Sequence, residues 1–260
     1  MTITLTWLGH ASVVLDIDGV RLVADPLLRR HNGVLRRRGG ERPEGTAWSG
    51  AHAVLLSHLH HDHAEVASLK MLGDVPVLTA TENAVWVDRK GLAGRGLVEG
   101  EWVSVGERDD VTVRLVSAIH HSRPMPHRPN AANGHLVRGP SGVVWIAGDT
   151  DLYDAMAGLD TLAGAPVDVA VVPVGGWGPR LSPGHMGPEQ AAEACGLSGA
   201  RWALPVHWKT LHVPTGEMFP RGWMDSAGPR FSEALARKAP SCEALVMDVG
   251  GSRTLPGTGA

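Results

Sequence analysis

Ser57-His58-Leu59-His60-His61-Asp62-His63 follows directly on the apolar run Ala53-Val54-Leu55-Leu56, and its spacing decides how the rest of the chain is read. In an extended chain, side chains two apart point to the same side, so His58 and His60 can grip one cation together. Asp62 and His63 are neighbours and cannot share that register. A turn after His60 lets them face a second cation beside the first. The spacing H-x-H-x-D-H therefore suits two adjacent metals rather than one.

A catalytic metal takes about three protein ligands and leaves a position for water, so further ligands must come from elsewhere. Three later strand ends offer them: Val111 to Val116 leads to His120 and its neighbour His121, Val143 to Ile146 to Asp149, and Ala203 to Val206 to His207. The expected grouping is His58 and His60 with His120 or His121 on one metal, Asp62, His63 and His207 on the other, and Asp149 bridging. Imidazole and carboxylate suit zinc, with manganese or iron as alternatives. Two such cations acidify a shared water, so the expected chemistry is hydrolysis by a metal-bridging hydroxide, with Asp62 and Asp149 at its centre. A lone histidine after a strand is ordinarily a hydrogen-bonded core side chain. Four potential ligands within six positions, with partners at three strand ends, outweigh that reading. His10, His61, His127 and His212 have no comparable case.

The chain has 260 residues, 43% of them hydrophobic, which fits one large α/β domain, expected over 1–249, with a Gly-rich, mobile tail over 250–260. A net charge of -3 lacks the basic excess of a nucleic-acid-binding protein, so no such partner is expected. Cys195 and Cys242 are too few and too far apart for a disulfide framework or a zinc ribbon, which fits a reducing cytosol. Met1 to Trp7 lacks the pattern of a signal peptide, and no run of about 18 apolar residues suggests a transmembrane segment. A soluble, cytoplasmic protein is expected.

Strands are predicted over Ile3 to Trp7, Ser12 to Ile17 and Val20 to Ala24, the last two joined by the turn signal Asp18-Gly19. Asp25 to Ser49, rich in Arg, Gly and Pro, reads as a long surface loop of the kind that forms lids. Strands and helices then alternate: strands at Ala53 to Leu56, Val75 to Leu78, Trp102 to Val105, Val111 to Val116, His135 to Val137, Val143 to Ile146, Val167 to Val172 and Ala203 to Val206. Helices are predicted at Glu65 to Leu72, Glu82 to Lys90, Leu152 to Ala157, Pro188 to Cys195 and Phe231 to Lys238. The pattern implies two packed sheets flanked by helices.

This constellation resembles the metallo-β-lactamase superfamily, and within it the branch of the UlaG-like ascorbate-6-phosphate lactonases and the N-acylphosphatidylethanolamine phospholipase D-like proteins. The segments that carry the resemblance, besides the histidine loop, are Trp7-Leu8-Gly9-His10-Ala11, Asp25-Pro26, Ala118-Ile119-His120-His121-Ser122, Gly148-Asp149-Thr150, His185-Met186-Gly187-Pro188-Glu189 and Pro205-Val206-His207-Trp208. It implies a four-layered αββα fold and selects His120 over His121 as the ligand. His61 stands where a Tyr is common in the phospholipase-like members, and Lys209 where Gly is expected, departures that bear on substrate rather than on the metals.

Asp25 is a candidate to hold the outer nitrogen of a metal-bound histidine, or else a turn carboxylate before Pro26. His185 is a candidate catalytic proton donor or substrate ligand, or else a cap on the following helix. The arginines between Arg29 and Arg42 could guide a phosphate or carboxylate, and Trp48, Trp177 and Trp208 could line a pocket. The expected function is hydrolysis of an ester-like bond, a phosphodiester or a lactone, in a small or lipid-like, possibly anionic substrate. Iron-based redox chemistry, a nuclease on the same site and a non-catalytic binding protein are the competing readings.

Overall fold

The computed structural model describes residues 2–106, 109–120, 128 and 131–257. His121 and His127, and residues 258–260 of the expected tail, lie outside them. In chain order the strands are β1 (Thr2–Gly9), β2 (Ser12–Ile17), β3 (Val20–Ala24), β4 (His31–Asn32), β5 (Leu35–Arg37), β6 (Ala53–Leu55), β7 (Val77–Ala80), β8 (Gly94–Leu97), β9 (Val103–Val105), β10 (Val111–Ser117), β11 (Asn133–Gly139), β12 (Gly142–Ile146), β13 (Val169–Pro173), β14 (Trp202–Val206), β15 (Leu211–His212), β16 (Glu243–Ala244) and β17 (Ser252–Pro256). The α-helices are α1 (Gly45–Trp48), α2 (Val66–Met71), α3 (Thr81–Asp88), α4 (Leu159–Ala163), α5 (Pro188–Ser198) and α6 (Trp223–Lys238).

Two seven-stranded sheets form, β17-β1-β2-β3-β6-β7-β8 and β16-β14-β13-β12-β11-β10-β9, beside a small sheet β15-β5-β4. Each large sheet is antiparallel at one side and parallel at the other, β3-β6-β7-β8 in the first and β12-β13-β14-β16 in the second. Alternation drives the packing: Ile3, Leu5 and Trp7 of β1 are wholly buried, while Thr2, Thr4 and Thr6 point outward. Ile3, Leu5 and Trp7 join Val13 and Leu15 of the same sheet and Val111, Val113 and Val144 of the other in one core. The mixed sheets with helices outside agree with the expected αββα class.

Because β1 and β3 both run antiparallel to β2, and β10 and β12 both run antiparallel to β11, the carboxyl ends of β1, β3 and β6 share one edge of their sheet. The same holds for β10, β12, β13 and β14 in the other sheet. Rigid strand ends are where an α/β fold places its chemistry.

Several expectations are corrected. Ser252–Pro256 is not a free tail but pairs along β1, from Thr2 with Pro256 to Thr6 with Ser252, and buries Leu255. Thr4 and Thr254 hydroxyls meet at 3.0 Å, and Thr6 donates to Ser252 at 3.0 Å. Gly250-Gly251 upstream concealed this strand, since a tail and a turn into an edge strand share that composition. Asp25 to Ser49 is not an irregular loop: Leu27 and Leu28 are buried, β4 and β5 form a hairpin, and β5 pairs with β15. Arg37 anchors the hairpin by donating to the carbonyls of Leu8 at 2.8 Å and Leu27 at 2.6 Å. The helix expected at Leu152 to Ala157 is a 3-10 turn at Asp154–Gly158 leading into α4. Helix α6 begins at Trp223, well before the expected Phe231, and carries Pro229 inside it.

His135 on β11 is buried, its Nε2 3.3 Å from the Leu78 carbonyl, and burial pushes its pKa down to about 4 against the pull of Asp25. The unfolded chain therefore binds a proton below pH ~6.5 that the fold refuses until near 4, so stability falls as pH drops through that window. The His135→Gln variant is expected to lose less stability than wild type between pH 7 and 4.5, by about 2 kcal/mol in urea titrations. Equal losses would contradict this.

Candidate metal centre

All the sequence-nominated metal-binding side chains that are described converge where the two strand-end edges face each other. With His10, which was not nominated, they form two groups whose ligand atoms lie within 4.8 Å of one another: His58, His60, His120 and Asp149 in one, and His10, Asp62, His63 and His207 in the other. In the first, His60 Nδ1 stands 2.8 Å from His58 Nε2 and 3.0 Å from His120 Nε2. In the second, His63 Nε2 and His207 Nε2 are 3.2 Å apart, and His207 Nε2 is 3.6 Å from Asp62 Oδ2. Asp149 Oδ2 lies between the groups, 3.1 Å from His63, 3.3 Å from His207 and 4.0 Å from His58.

The donor set fits cations. Ligand atoms at ~2.1 Å from a tetrahedral ion stand roughly 3.4 Å apart, close to these spacings. One imidazole nitrogen faced by two others cannot satisfy both by hydrogen bonding. Both carboxylate oxygens of Asp149 are buried without a well-aligned donor, despite the short approach of His63 Nε2. A buried, unsatisfied carboxylate ringed by imidazoles is costly unless a cation completes it.

The outer ring nitrogens are held so that the inner ones present lone pairs. His63 Nδ1 donates to Asp25 Oδ2 at 2.8 Å, His120 Nδ1 to the Gly184 carbonyl at 2.7 Å and His207 Nδ1 to the Gly175 carbonyl at 2.9 Å. His58 Nδ1 is 2.9 Å from Ser57 Oγ, which itself donates to Asp25 Oδ2 at 2.6 Å. Asp25 thus supports one histidine of each group. Gly148 has φ +64, and a Cβ there would meet Ser57 Cβ at 2.7 Å, so glycine is what lets Asp149 approach the histidine loop. Thr150 Oγ1 accepts from the Ile119 amide at 2.9 Å and ties in the loop carrying His120. His10, Asp25 and His207 all have positive φ, a strain of about 1 kcal/mol or more each that the surrounding packing sustains.

The electrostatics follow from the crowding. Burial penalises the Asp149 carboxylate, but His207 and His63 outweigh it and hold it well below the usual range. Asp62 is likewise held low against burial by hydrogen bonds to His10 and His207. Burial and neighbouring imidazoles push His58 well down and His60 to about 4. His63 is raised, because Asp149 and Asp25 overcome its desolvation.

The sequence reading passed over His10. Its Nε2 lies 2.9 Å from Asp62 Oδ2, its ring packs 4.0 Å from that of His207, and its Nδ1 is buried without a partner. The signal was the segment Trp7-Leu8-Gly9-His10-Ala11: Trp7 Nε1 donates to the His10 carbonyl at 2.8 Å and stacks on Trp208. Replacing His10 with Ala is expected to weaken metal binding at the Asp62 group by about 10–100-fold while sparing the His60 group. Competition with a chromophoric chelator would resolve two classes of site in the variant; unchanged affinity would assign His10 to packing alone.

His185 Nε2 approaches Asp149 Oδ2 at 3.3 Å and its Nδ1 faces the Ser182 carbonyl at 3.1 Å. His185 lines a pocket of about 430 Å³ whose floor includes His60 and Asp62. Trp177 lines this pocket too, whereas Trp48 packs in a small core with Leu8 and Trp208 is buried. His61 reaches the pocket rim, and Lys209 instead pairs with Asp248 at 2.7 Å beside a separate, smaller pocket.

A pair of facing mixed sheets with a histidine-aspartate centre at their joined edges defines the metallo-β-lactamase architecture. The chain belongs to the β-lactamase superfamily domain family, whose model matches residues 21–208. A UPF0173 metal-dependent hydrolase of Nitratidesulfovibrio vulgaris is 28% identical over 264 residues, covering 98% of this chain and 96% of that protein. An N-acyl-phosphatidylethanolamine-hydrolyzing phospholipase D 1 of Caenorhabditis elegans is 24% identical over 234 residues, 82% of this chain and 66% of that protein. The chain spans 62% of the length of an uncharacterised Mycobacterium tuberculosis relative, to which it is 27% identical over 83% of its own length. In fold it is similar to Igni18, a metallo hydrolase from Ignicoccus hospitalis, with a TM-score of 0.72, 21% identity and coverage of 98% and 99% of the two chains. Among the described residues no helix is long and apolar enough to cross a membrane.

Proposed function

We propose that this protein is a metal-dependent hydrolase with a dinuclear centre, zinc in the first instance, that cleaves an ester-like bond, a phosphodiester or a lactone, in a small or lipid-like substrate in the cytosol. The observation that carries the reading is the position of Asp149 Oδ2 between two complete donor groups. Likeness to the named hydrolases of Nitratidesulfovibrio and Caenorhabditis supports it.

His58, His60 and His120 would hold one cation, Asp62, His63 and His207 the other, and Asp149 would span them. Cations held there supply an acidified water near neutral pH and polarise the carbonyl or phosphoryl oxygen. The protein's own part is orientation and proton handling. Asp25, Gly175 and Gly184 fix the imidazoles, and His10 turns Asp62. His185, on the pocket wall with Nε2 beside Asp149, would pass a proton to the departing oxygen.

The test is metal analysis followed by phosphodiesterase and lactonase assays on metal-loaded and chelated protein. Two equivalents of metal and chelator-sensitive turnover are expected. Undiminished turnover when the ligands are individually replaced by Ala would overturn the reading.

A further inference from the structure

Of the arginines between Arg29 and Arg42, three have other employment, and Arg36 is an exposed residue of β5 that does not line the pocket above the metal centre. Arg29 reaches Glu65 at 3.4 Å, Arg37 is buried against backbone carbonyls, and Arg38 forks onto Asp225 at 2.6 and 3.0 Å. Arg30 and Arg42 line a different pocket, together with Glu41 and Glu44. The described residues lining the pocket above the metal centre include no lysine or arginine. Its walls are apolar: Val34 and Leu35 from the β4–β5 hairpin, Val213 just past β15, and Trp177 from the loop after β13.

This wall is built rather than incidental. Hairpin and β15 share one small sheet, Arg37 clamps its base, and Asn32 Nδ2 donates to the carbonyl of His61 in the histidine loop. Val34 is nonetheless 73% exposed and Trp177 46%. Isolated exposed apolar side chains need no explanation. Here exposed Val34, Trp177 and Val213 and half-buried Leu35 line one opening together with His60, Asp62 and His185, and a cavity of about 430 Å³ suits a small molecule.

We propose that the substrate carries, next to its reacting centre, an uncharged apolar group that seats between the β4–β5 hairpin and Trp177, and that Val34, Leu35, Trp177 and Val213 set the preference for it. The proposal rests on the hydrolase reading for the reaction but not for the binding. An apolar chain gains by removal from water against this wall, whereas a carboxylate at its far end would be desolvated with no lysine or arginine among the described lining residues to meet it.

The probes are p-nitrophenyl esters of straight-chain acids from acetyl to hexanoyl, the half-ester of adipic acid, and the unreactive ketone 2-octanone. With metal-loaded protein, kcat/KM is expected to rise roughly threefold per added methylene, and the adipate ester to fall at least tenfold below the hexanoyl ester. The Val34→Asp variant changes an exposed position and is expected to reduce the hexanoyl-to-acetyl ratio at least tenfold. Val98→Asp, at a valine 56% exposed just past β8, is expected to keep it. Calorimetric binding of 2-octanone should weaken about tenfold in Val34→Asp. A flat chain-length profile, untouched by Val34→Asp, would overturn the proposal while leaving hydrolysis intact. If no carboxylic ester is cleaved, and phosphodiesterase and lactonase assays are also blank, but 2-octanone binds in a Val34-dependent manner, the apolar subsite stands and the hydrolase reading falls.

Discussion

Replacing Asp149 with Ala is expected to lower kcat/KM by on the order of 10³-fold and to reduce bound metal from two equivalents to one or none. The effect is large because a single oxygen lies within 4.0 Å of His58, His63, His185 and His207, so its loss touches both donor groups and the proposed proton donor at once. Among the described residues, the close polar contacts of Asp62 are to His10 and His207 of the second group. Asp62→Ala is therefore expected to keep one equivalent. Elemental analysis beside steady-state kinetics checks both variants. A variant at 149 with two equivalents and wild-type turnover would remove Asp149 from the bridging position.

Chelation should act on the fold as strongly as on turnover. An ion present at a thousandfold its dissociation constant stabilises the folded state by about 4 kcal/mol per site. In a chain of this size each kcal/mol moves the unfolding midpoint by about 2–4 °C, so stripping the metals should lower Tm by roughly 10 °C or more. The physical source is the knot of buried imidazoles and carboxylates, among them both orphaned oxygens of Asp149. Scanning calorimetry before and after chelation, then after adding zinc back, measures it. An unchanged midpoint would show that the cluster satisfies itself without ions.

The sequence displayed the centre more fully than its surroundings, for a physical reason. Candidate ligands close together in sequence, such as His58, His60, Asp62 and His63, announce themselves by spacing, and Asp149 and His207 stand just after apolar strand runs that read clearly. His10 also follows a strand, but it acts through Asp62, and no local spacing records a contact across 52 positions. The hairpin was hidden for a related reason. Strands of two or three residues are too short for alternation, and β5 owes its existence to β15, far along the chain. Strand β8 reads Gly-Arg-Gly-Leu, with no intrinsic preference for extension; its glycines fit because α3 packs so near that a Cβ at Gly94 would meet the Ala84 carbonyl at 2.4 Å. The Arg-rich composition suggested an anion guide, but Arg29, Arg37 and Arg38 are spent on Glu65, main-chain carbonyls and Asp225, and Arg30 and Arg42 line a different pocket.

The carbonyls of Gly175 and Gly184 that steady His207 and His120 belong to the same stretch of chain that carries Trp177, Ser182 and His185 along the pocket. One loop therefore answers to two guests. Thermodynamic reciprocity then demands that by whatever factor a compound resting on Trp177 tightens the grip on the ions, the ions tighten the grip on that compound.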